Sequence, residues 1–209
     1  FSLAETVATL YFRVMKVDPQ NPGWPDRDRL ILSKGHAGIV QYAAMAVAGY
    51  FPVEELYSLK KLGSRLQGHP DLTKLPGIEA NTGSLGQGLS MASGLAAGLR
   101  LDGRPSRVFC VVGDGELAEG QIWEAAMAAR VHKLDNLTAI LDYNTVQAMG
   151  TVRERFDTTP YREKWDAFGW NTIEADLAEG PGRLFAAFHD RRERTIAPYY
   201  IYIRPVQQQ

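Results

Sequence analysis

Residues 108–150 read VFCVVGDGELAEGQIWEAAMAARVHKLDNLTAILDYNTVQAMG, and the alternation within this stretch decides the fold. Segments 108–112 and 137–141 are short apolar runs rich in β-branched residues, the pattern of parallel strands covered on both faces. Between them, 119–131 places Ile122, Ala126, Ala129 and Val131 on a helix-forming background. The unit therefore reads strand, helix, strand, with a right-handed crossover. Parallel strands end on the same side. Asp114 after the first strand and Asn144 after the second are thus expected to converge in the crevice at the carboxyl edge of the sheet, where such sheets bind ligands.

An Asp carboxylate, an Asn side-chain carbonyl and a nearby backbone carbonyl are hard oxygen donors. They suit Mg²⁺ or Ca²⁺ that also carries phosphate oxygens. Gly113 and Gly115 flank Asp114 and remove Cβ atoms where a backbone has to approach a diphosphate closely. A lone GDG is a common turn; here it is followed in order by a helix, a strand and Asn.

The same alternation extends outward. Residues 2–15 read as a helix, with Ser2 as N-cap, Glu5 completing a capping box, and Leu3, Val7, Leu10, Tyr11 and Val14 on the apolar face. Segment 29–32 reads as a short strand leading into SKGHA (33–37), and 38–50 and 52–60 as two helices, the second opened by Pro52. Residues 63–88 are turn-rich with little hydrophobic periodicity, and so long a stretch inside a compact domain is more often functional than filler. Segment 86–101 is small and apolar nearly all round, which predicts a buried helix whose amino end offers backbone N–H groups to an anion. Further on, 161–168 and 181–192 read as helices and 170–175 and 199–203 as strands. No repeat, low-complexity segment or interdomain linker interrupts the pattern, so the expectation is one α/β domain over 1–209 with a mostly parallel sheet and helices on both faces.

Four ordered motifs, SKGHA (33–37), GHPD (68–71), TGSLGQG (82–88) and GDGE with its later Asn, resemble the transketolases. The longer string GDGELAEGQIWEAA with LDYN resembles in particular the amino-terminal subunit of a split transketolase. The resemblance implies the diphosphate-binding domain of a thiamine-diphosphate enzyme, which transfers a two-carbon ketol unit from a ketose donor to an aldehyde acceptor. It implies catalytic roles for His36, His69 and Glu119. His36, Gly83, Ser84, Leu85, Gly113, Gly115, Glu116, Asn144 and Ala148 would hold the cofactor, and Asp114, Asn144 and the backbone carbonyl of Val146 the cation. Imidazoles suit such work because they donate, accept or carry a proton near neutral pH; each is otherwise a turn histidine that fixes a loop. Glu119 and Glu124 either complement a helix amino end or, as the resemblance implies, join a carboxylate network at a dimer interface. Glu116 reads as an acceptor near the metal loop, and His132 and His189 as surface or helix-end residues.

The sequence departs from the family pattern at Ser84, where proline is usual, at Ala148, where a larger aliphatic is common, and in the 204–209 segment, where a TxKGKG-like loop is expected. A histidine-glycine-glycine segment before the first helix is absent, and Phe1 suggests a chain that starts inside a longer protein. A second, pyrimidine-binding domain is not encoded here. The expectation is therefore a separate carboxy-terminal subunit carrying it, with active sites between chains in a dimer of heterodimers. Other thiamine-diphosphate enzymes, resembling deoxyxylulose-phosphate synthase or 2-oxoacid dehydrogenase components, stay open as alternatives, as does a non-catalytic scaffolding relative.

The 209 residues include 23 Lys and Arg against 24 Asp and Glu, a net charge of −1 that favours neither nucleic acid nor an anionic membrane as partner. No apolar segment reaches spanning length. The single cysteine, Cys110, lies in a predicted buried strand, so no intramolecular disulfide forms and a reducing cytosol is the expected compartment.

Overall fold

The computed structural model describes residues 2–189 and 197–204. In chain order the strands are β1 (Arg29–Leu32), β2 (Val108–Gly113), β3 (Leu137–Asp142), the short pair β4 (Val146–Gln147) and β5 (Gly150–Thr151), β6 (Asn171–Asp176) and β7 (Tyr199–Arg204). The five longer strands form one all-parallel sheet in the order β1-β2-β3-β7-β6, and β4 and β5 pair as an antiparallel hairpin. Gly113 of β2 lies opposite Asp142 of β3. The two strands thus end level, and the loops carrying Asp114 and Asn144 start side by side as the sequence pattern requires.

The helices are α1 (Ala4–Thr9), which runs into a π-helical turn Leu10–Val14, α2 (Gly38–Ala48), α3 (Gln87–Leu101), α4 (Gly120–Val131), α5 (Val152–Arg155), α6 (Tyr161–Ala167) and α7 (Pro181–His189). They cover both faces of the sheet. Phe109 and Val111 of β2 point to one face, where they join Val7, Met45 and Leu184 from α1, α2 and α7. Val108, Cys110 and Val112 point to the other, joining Ala92, Ile122 and Trp165 from α3, α4 and α6. The period-two alternation of a strand thus feeds two separate cores. Alanines at 92, 96, 126 and 129 are fully buried and let α3 and α4 lie close to the strands. Trp165 stacks on Tyr200 with centroids 4.2 Å apart.

Several local expectations are corrected. Leu3, not Ser2, precedes α1 without a side-chain cap; the Ser2 hydroxyl instead donates to Asp142 at 2.7 Å. A partner far away in sequence outcompetes the local N–H groups. Segment 52–60 forms a 3₁₀ helix, Val53–Ser58, with Pro52 as its cap residue and none of its residues buried. Without an apolar face to bury, that segment lacks the packing that sustains an α-helix. Val131 is 74% exposed rather than packed. Helix α3 is not buried all round: Met91 and Leu101 are exposed. The hairpin of β4 and β5 is unanticipated. The ends of the predicted 181–192 helix and of the 204–209 segment lie outside the described residues.

Candidate functional site

Asp114 sits directly after β2, 1% exposed. Its two oxygens accept from the backbone N–H groups of Gly115, at 2.8 Å, and Thr145, at 2.6 Å. The second bond ties the Asp114 loop to the turn after β3. In that turn the Asn144 Oδ1 accepts from the N–H of Val146 at 2.9 Å, an Asx turn that leaves a lone pair free. Thr145 has φ +65°, a left-handed conformation unusual for a β-branched residue. Strain of that kind persists where the surroundings impose it, and it clusters at functional sites.

Asp142, the last residue of β3, was not singled out by the sequence, yet it organises this corner. Its Oδ2 accepts from Lys34 Nζ at 2.7 Å, from Ser2 Oγ at 2.7 Å and from Asn144 Nδ2 at 3.1 Å, while its buried Oδ1 has no partner. The Lys34–Asp142 ion pair is almost wholly buried. Lys34 belongs to the SKGHA motif, and the aliphatic part of its side chain also comes within 3.4 Å of where a Cβ on Gly113 would be. The signal that could have found the pair is an aspartate as the last residue of one buried strand and a lysine two residues past the end of another.

Among the described residues no three His, Cys, Asp or Glu side chains cluster as a metal site. The donors present are one carboxylate, one carboxamide and the carbonyl of the 144–146 turn. That set leaves positions for a ligand's own oxygens, which is how a hard cation bridges protein and phosphate. Burial pushes the Asp114 carboxyl above its usual range, against the pull of the Thr145 and Gly115 N–H groups and of Lys34. A buried carboxylate partnered only by two N–H groups, beside an orphaned oxygen of Asp142, fits a bound cation.

Glu116 faces inward. It accepts from the Ser33 hydroxyl, from the N–H of Gly86 at 2.8 Å and from that of Gly113 at 3.1 Å. Burial raises its pKa, opposed by those three donors. Its carboxylate thus ties the ends of β1 and β2 to the start of α3. Gly88 N donates to Ser33 Oγ at 3.1 Å. The N–H groups of Gly86 and Gly88, two of those expected to face an anion at the amino end of α3, are therefore engaged within the protein.

The glycines show how the motifs fit together. A Cβ on Gly35 would fall 2.7 Å from the backbone of Thr82 and Gly83, one on Gly88 2.5 Å from Ser33, and one on Gly86 2.8 Å from Glu119. The His69 ring lies 3.2 Å from the Cβ position of Gly83, and the Tyr42 hydroxyl donates to the His69 carbonyl at 3.0 Å. SKGHA, GHPD, TGSLGQG and GDGE, spread over some eighty residues, thus form one crevice.

His36 and His69 are both exposed at this crevice. Burial first, then Lys34 and His69, hold the His36 imidazole below its usual pKa, so it is biased toward the neutral form. Ser84, Leu85 and Ala148 are exposed, and Gly83 and Gly115 are half-buried. Glu119 is the cap residue of α4 but makes no side-chain cap bond; Glu119 and Glu124 are both exposed. A cavity of about 550 Å³ opens beside the 144–146 turn, lined by Tyr143, Thr145, Thr151, Arg153, Asp157 and Tyr161 among others.

A parallel sheet with Asp114 and the Asn144 turn meeting at its carboxyl edge, between glycine-flanked loops, defines an α/β domain with a ligand crevice at that edge. Residues 1–207 match the family described as transketolase, thiamine diphosphate binding domain. The chain belongs to that family. It is 50% identical over 175 residues to the 6-deoxy-6-sulfo-D-fructose transketolase subunit SqwG of Clostridium sp. (strain MSTE9), covering 84% of this chain and 64% of that protein. It is 42% identical over 173 residues to an apulose-4-phosphate transketolase subunit of Phocaeicola vulgatus, covering 83% and 61%. Among solved structures, transketolase from Leishmania mexicana superposes with a TM-score of 0.88 at 30% identity, over 98% of this chain and 35% of that one. The chain thus spans less than two thirds of these relatives. No helix among the described residues is long and apolar enough to cross a membrane.

Proposed function

We propose that this chain is the cofactor-anchoring subunit of a split transketolase, working with a second subunit that carries the pyrimidine-binding domain. The observation that carries the reading is the junction of the Asp114 loop with the 144–146 turn, locked by the Thr145 N–H to Asp114 bond. Two relatives whose names include "subunit" support the divided arrangement. Those names also specify sugars with a sulfonate and a phosphate, which supports a ketose donor with an anionic end group.

When bound, thiamine diphosphate supplies the nucleophilic carbon that carries the two-carbon unit. This chain's residues do the anchoring. Asp114, Asn144 and the Val146 carbonyl hold Mg²⁺ or Ca²⁺, with Lys34 and Asp142 keeping the Asn144 amide in place. Gly113, Gly115 and the Glu116-tied loop give the diphosphate a close backbone surface. His36, whose imidazole is biased toward the neutral form, and His69 offer hydrogen bonds to donor and acceptor hydroxyls at the crevice mouth. Gly83, Ser84 and Leu85 form the wall against the ring system, and Ala148 the hairpin side. Glu119 presents its carboxylate to a second copy in a dimer of heterodimers. One buried thiol, Cys110, favours a reducing cytosol.

Ketol transfer is assayed with this chain, a pyrimidine-binding subunit, thiamine diphosphate and Mg²⁺. Turnover is expected only with both subunits; full turnover by this chain alone would refute the split arrangement.

A further inference from the structure

The turn-rich residues that lead into α3 form a strap along β1, the outer strand of the sheet. Ile78 is buried in the core on one face and Ala80 packs against the core on the other, so the chain crosses the sheet edge between them. Glu79, at that crossing, meets Arg27 and Arg29 from the amino end of β1. Further along, Thr82 and Gly83 lie 2.7 Å from the Cβ position of Gly35, past the carboxyl end of the same strand. The four steps from Glu79 to Gly83 reach at most about 14 Å, and β1 alone runs about 10 Å. Little slack is left.

The Glu79 side chain is 9% exposed, and those of Arg27 and Arg29 are 11% and 10% exposed. Glu79 Oε1 accepts from Arg27 Nη1, and Arg29 Nε lies 3.4 Å from Oε2. Burial raises the Glu79 pKa against the pull of Arg27 and then of Arg29. Both guanidiniums are also held by backbone carbonyls: Arg27 Nε donates to Pro22 O at 2.6 Å and Arg29 Nη2 to Pro25 O at 2.9 Å. The arginines thus form a fixed socket, and Glu79 fastens the strap to it by charge-assisted bonds, about twice as strong as neutral ones. Beyond Gly35 the strap becomes crevice wall. Gly83 faces the His69 ring, Ser84 and Leu85 are exposed, and the Gly86 N–H is taken by Glu116. The wall therefore lies between two buried carboxylate ties.

We propose that Glu79 is a positioning residue for ketol transfer: clamped by Arg27 and Arg29, it sets through the strap where Gly83, Ser84 and Leu85 stand in the crevice. The effect on the cofactor rests on the transfer reading above; the clamp does not.

Two measurements test it. In the purified chain, hydrogen–deuterium exchange of segment 80–86 is compared with that of β2 and β3 in the Glu79→Gln and Glu79→Asp variants. Losing the charge should speed exchange in 80–86 about tenfold more than in the two strands, and Glu79→Asp, which keeps the charge on a shorter stem, should fall between. An equal change in segment and strands overturns the clamp. Failure of both variants to fold also overturns it, because Glu79 then serves the fold as a whole. In the reconstituted enzyme, Glu79→Gln should raise KM for thiamine diphosphate about tenfold with kcat at saturating cofactor kept, and Glu79→Asp should raise it less. An unchanged KM overturns the positioning role even where exchange reveals the clamp. An inactive pair of unaltered subunits counts against the transfer reading alone, and exchange then decides the clamp by itself.

Discussion

Removing the Lys34 charge should be one of the most damaging single changes in this domain, because that charge is buried against Asp142. Its ammonium is 2.7 Å from Asp142 Oδ2, the lysine side chain is 9% exposed and the aspartate side chain 0%. Substitution Lys34→Met keeps the stem that packs over Gly113 but strands the Asp142 carboxylate. Two donors would remain on it, the Ser2 hydroxyl and the Asn144 amide, while the other oxygen already has none. Breaking a buried pair from one side costs about 3–5 kcal/mol, a large share of the roughly 5–15 kcal/mol by which a domain is stable. With a urea slope of about 2 kcal/mol/M, the unfolding midpoint should fall by about 2 M. Asp142→Asn alone should also destabilise, by leaving the lysine buried and unpaired. The double variant Lys34→Met/Asp142→Asn should be clearly less destabilised than the sum of the two singles, because no buried charge is left. The assay is a double-mutant cycle by urea denaturation of the metal-free chain, followed by circular dichroism. Additive losses, or a Lys34→Met cost below about 1 kcal/mol, the range of an exposed pair, would show that the pair is solvated and refute its burial as the source of the effect.

Asp114→Ala removes one cation ligand and its charge, so Mg²⁺-dependent thiamine diphosphate affinity should be lost in calorimetry; unchanged affinity would contradict the assignment. Gly88→Ala should destabilise the domain by about 1–3 kcal/mol through overpacking, since the new methyl would lie 2.5 Å from Ser33; thermal unfolding checks it. His36 has a folded-state pKa below its unfolded value, so its neutral form is favoured by folding. The corresponding stability is present above the unfolded value near 6.5 and is lost as the pH falls through the folded one. His36→Gln should therefore flatten the decline of the unfolding midpoint between neutral and mildly acidic pH, and an unchanged decline would remove the group from that role.

The strand–helix–strand core was legible because a parallel strand carries its own signature, a short β-branched run bounded by turn residues. Segments 108–112 and 137–141 hold to this within a residue of β2 and β3. Parallel pairing puts the ends of those strands on one side, and the observed register, Gly113 opposite Asp142, makes them level so that Asp114 meets the Asn144 turn. What failed was local chemistry with a distant competitor. Ser2 had the credentials of a helix cap, but Asp142, 140 residues away, took its hydroxyl. Gly86 and Gly88 looked like free donors at a helix start, yet Glu116 and Ser33 use them. No window of neighbouring residues contains those partners.

By itself the sequence determined the fold class and the family, and it put Asp114 and Asn144 after two parallel strands, because hydrophobic period and short motifs act over a few residues. Only the tertiary structure decided how the four motifs close on one crevice, that Lys34 and Asp142 form a buried pair beneath it, and that Glu116 is an inward tie. Each of these depends on strand order and on how closely backbones approach one another. Those distances arise from packing between segments far apart in the chain, which no local pattern encodes.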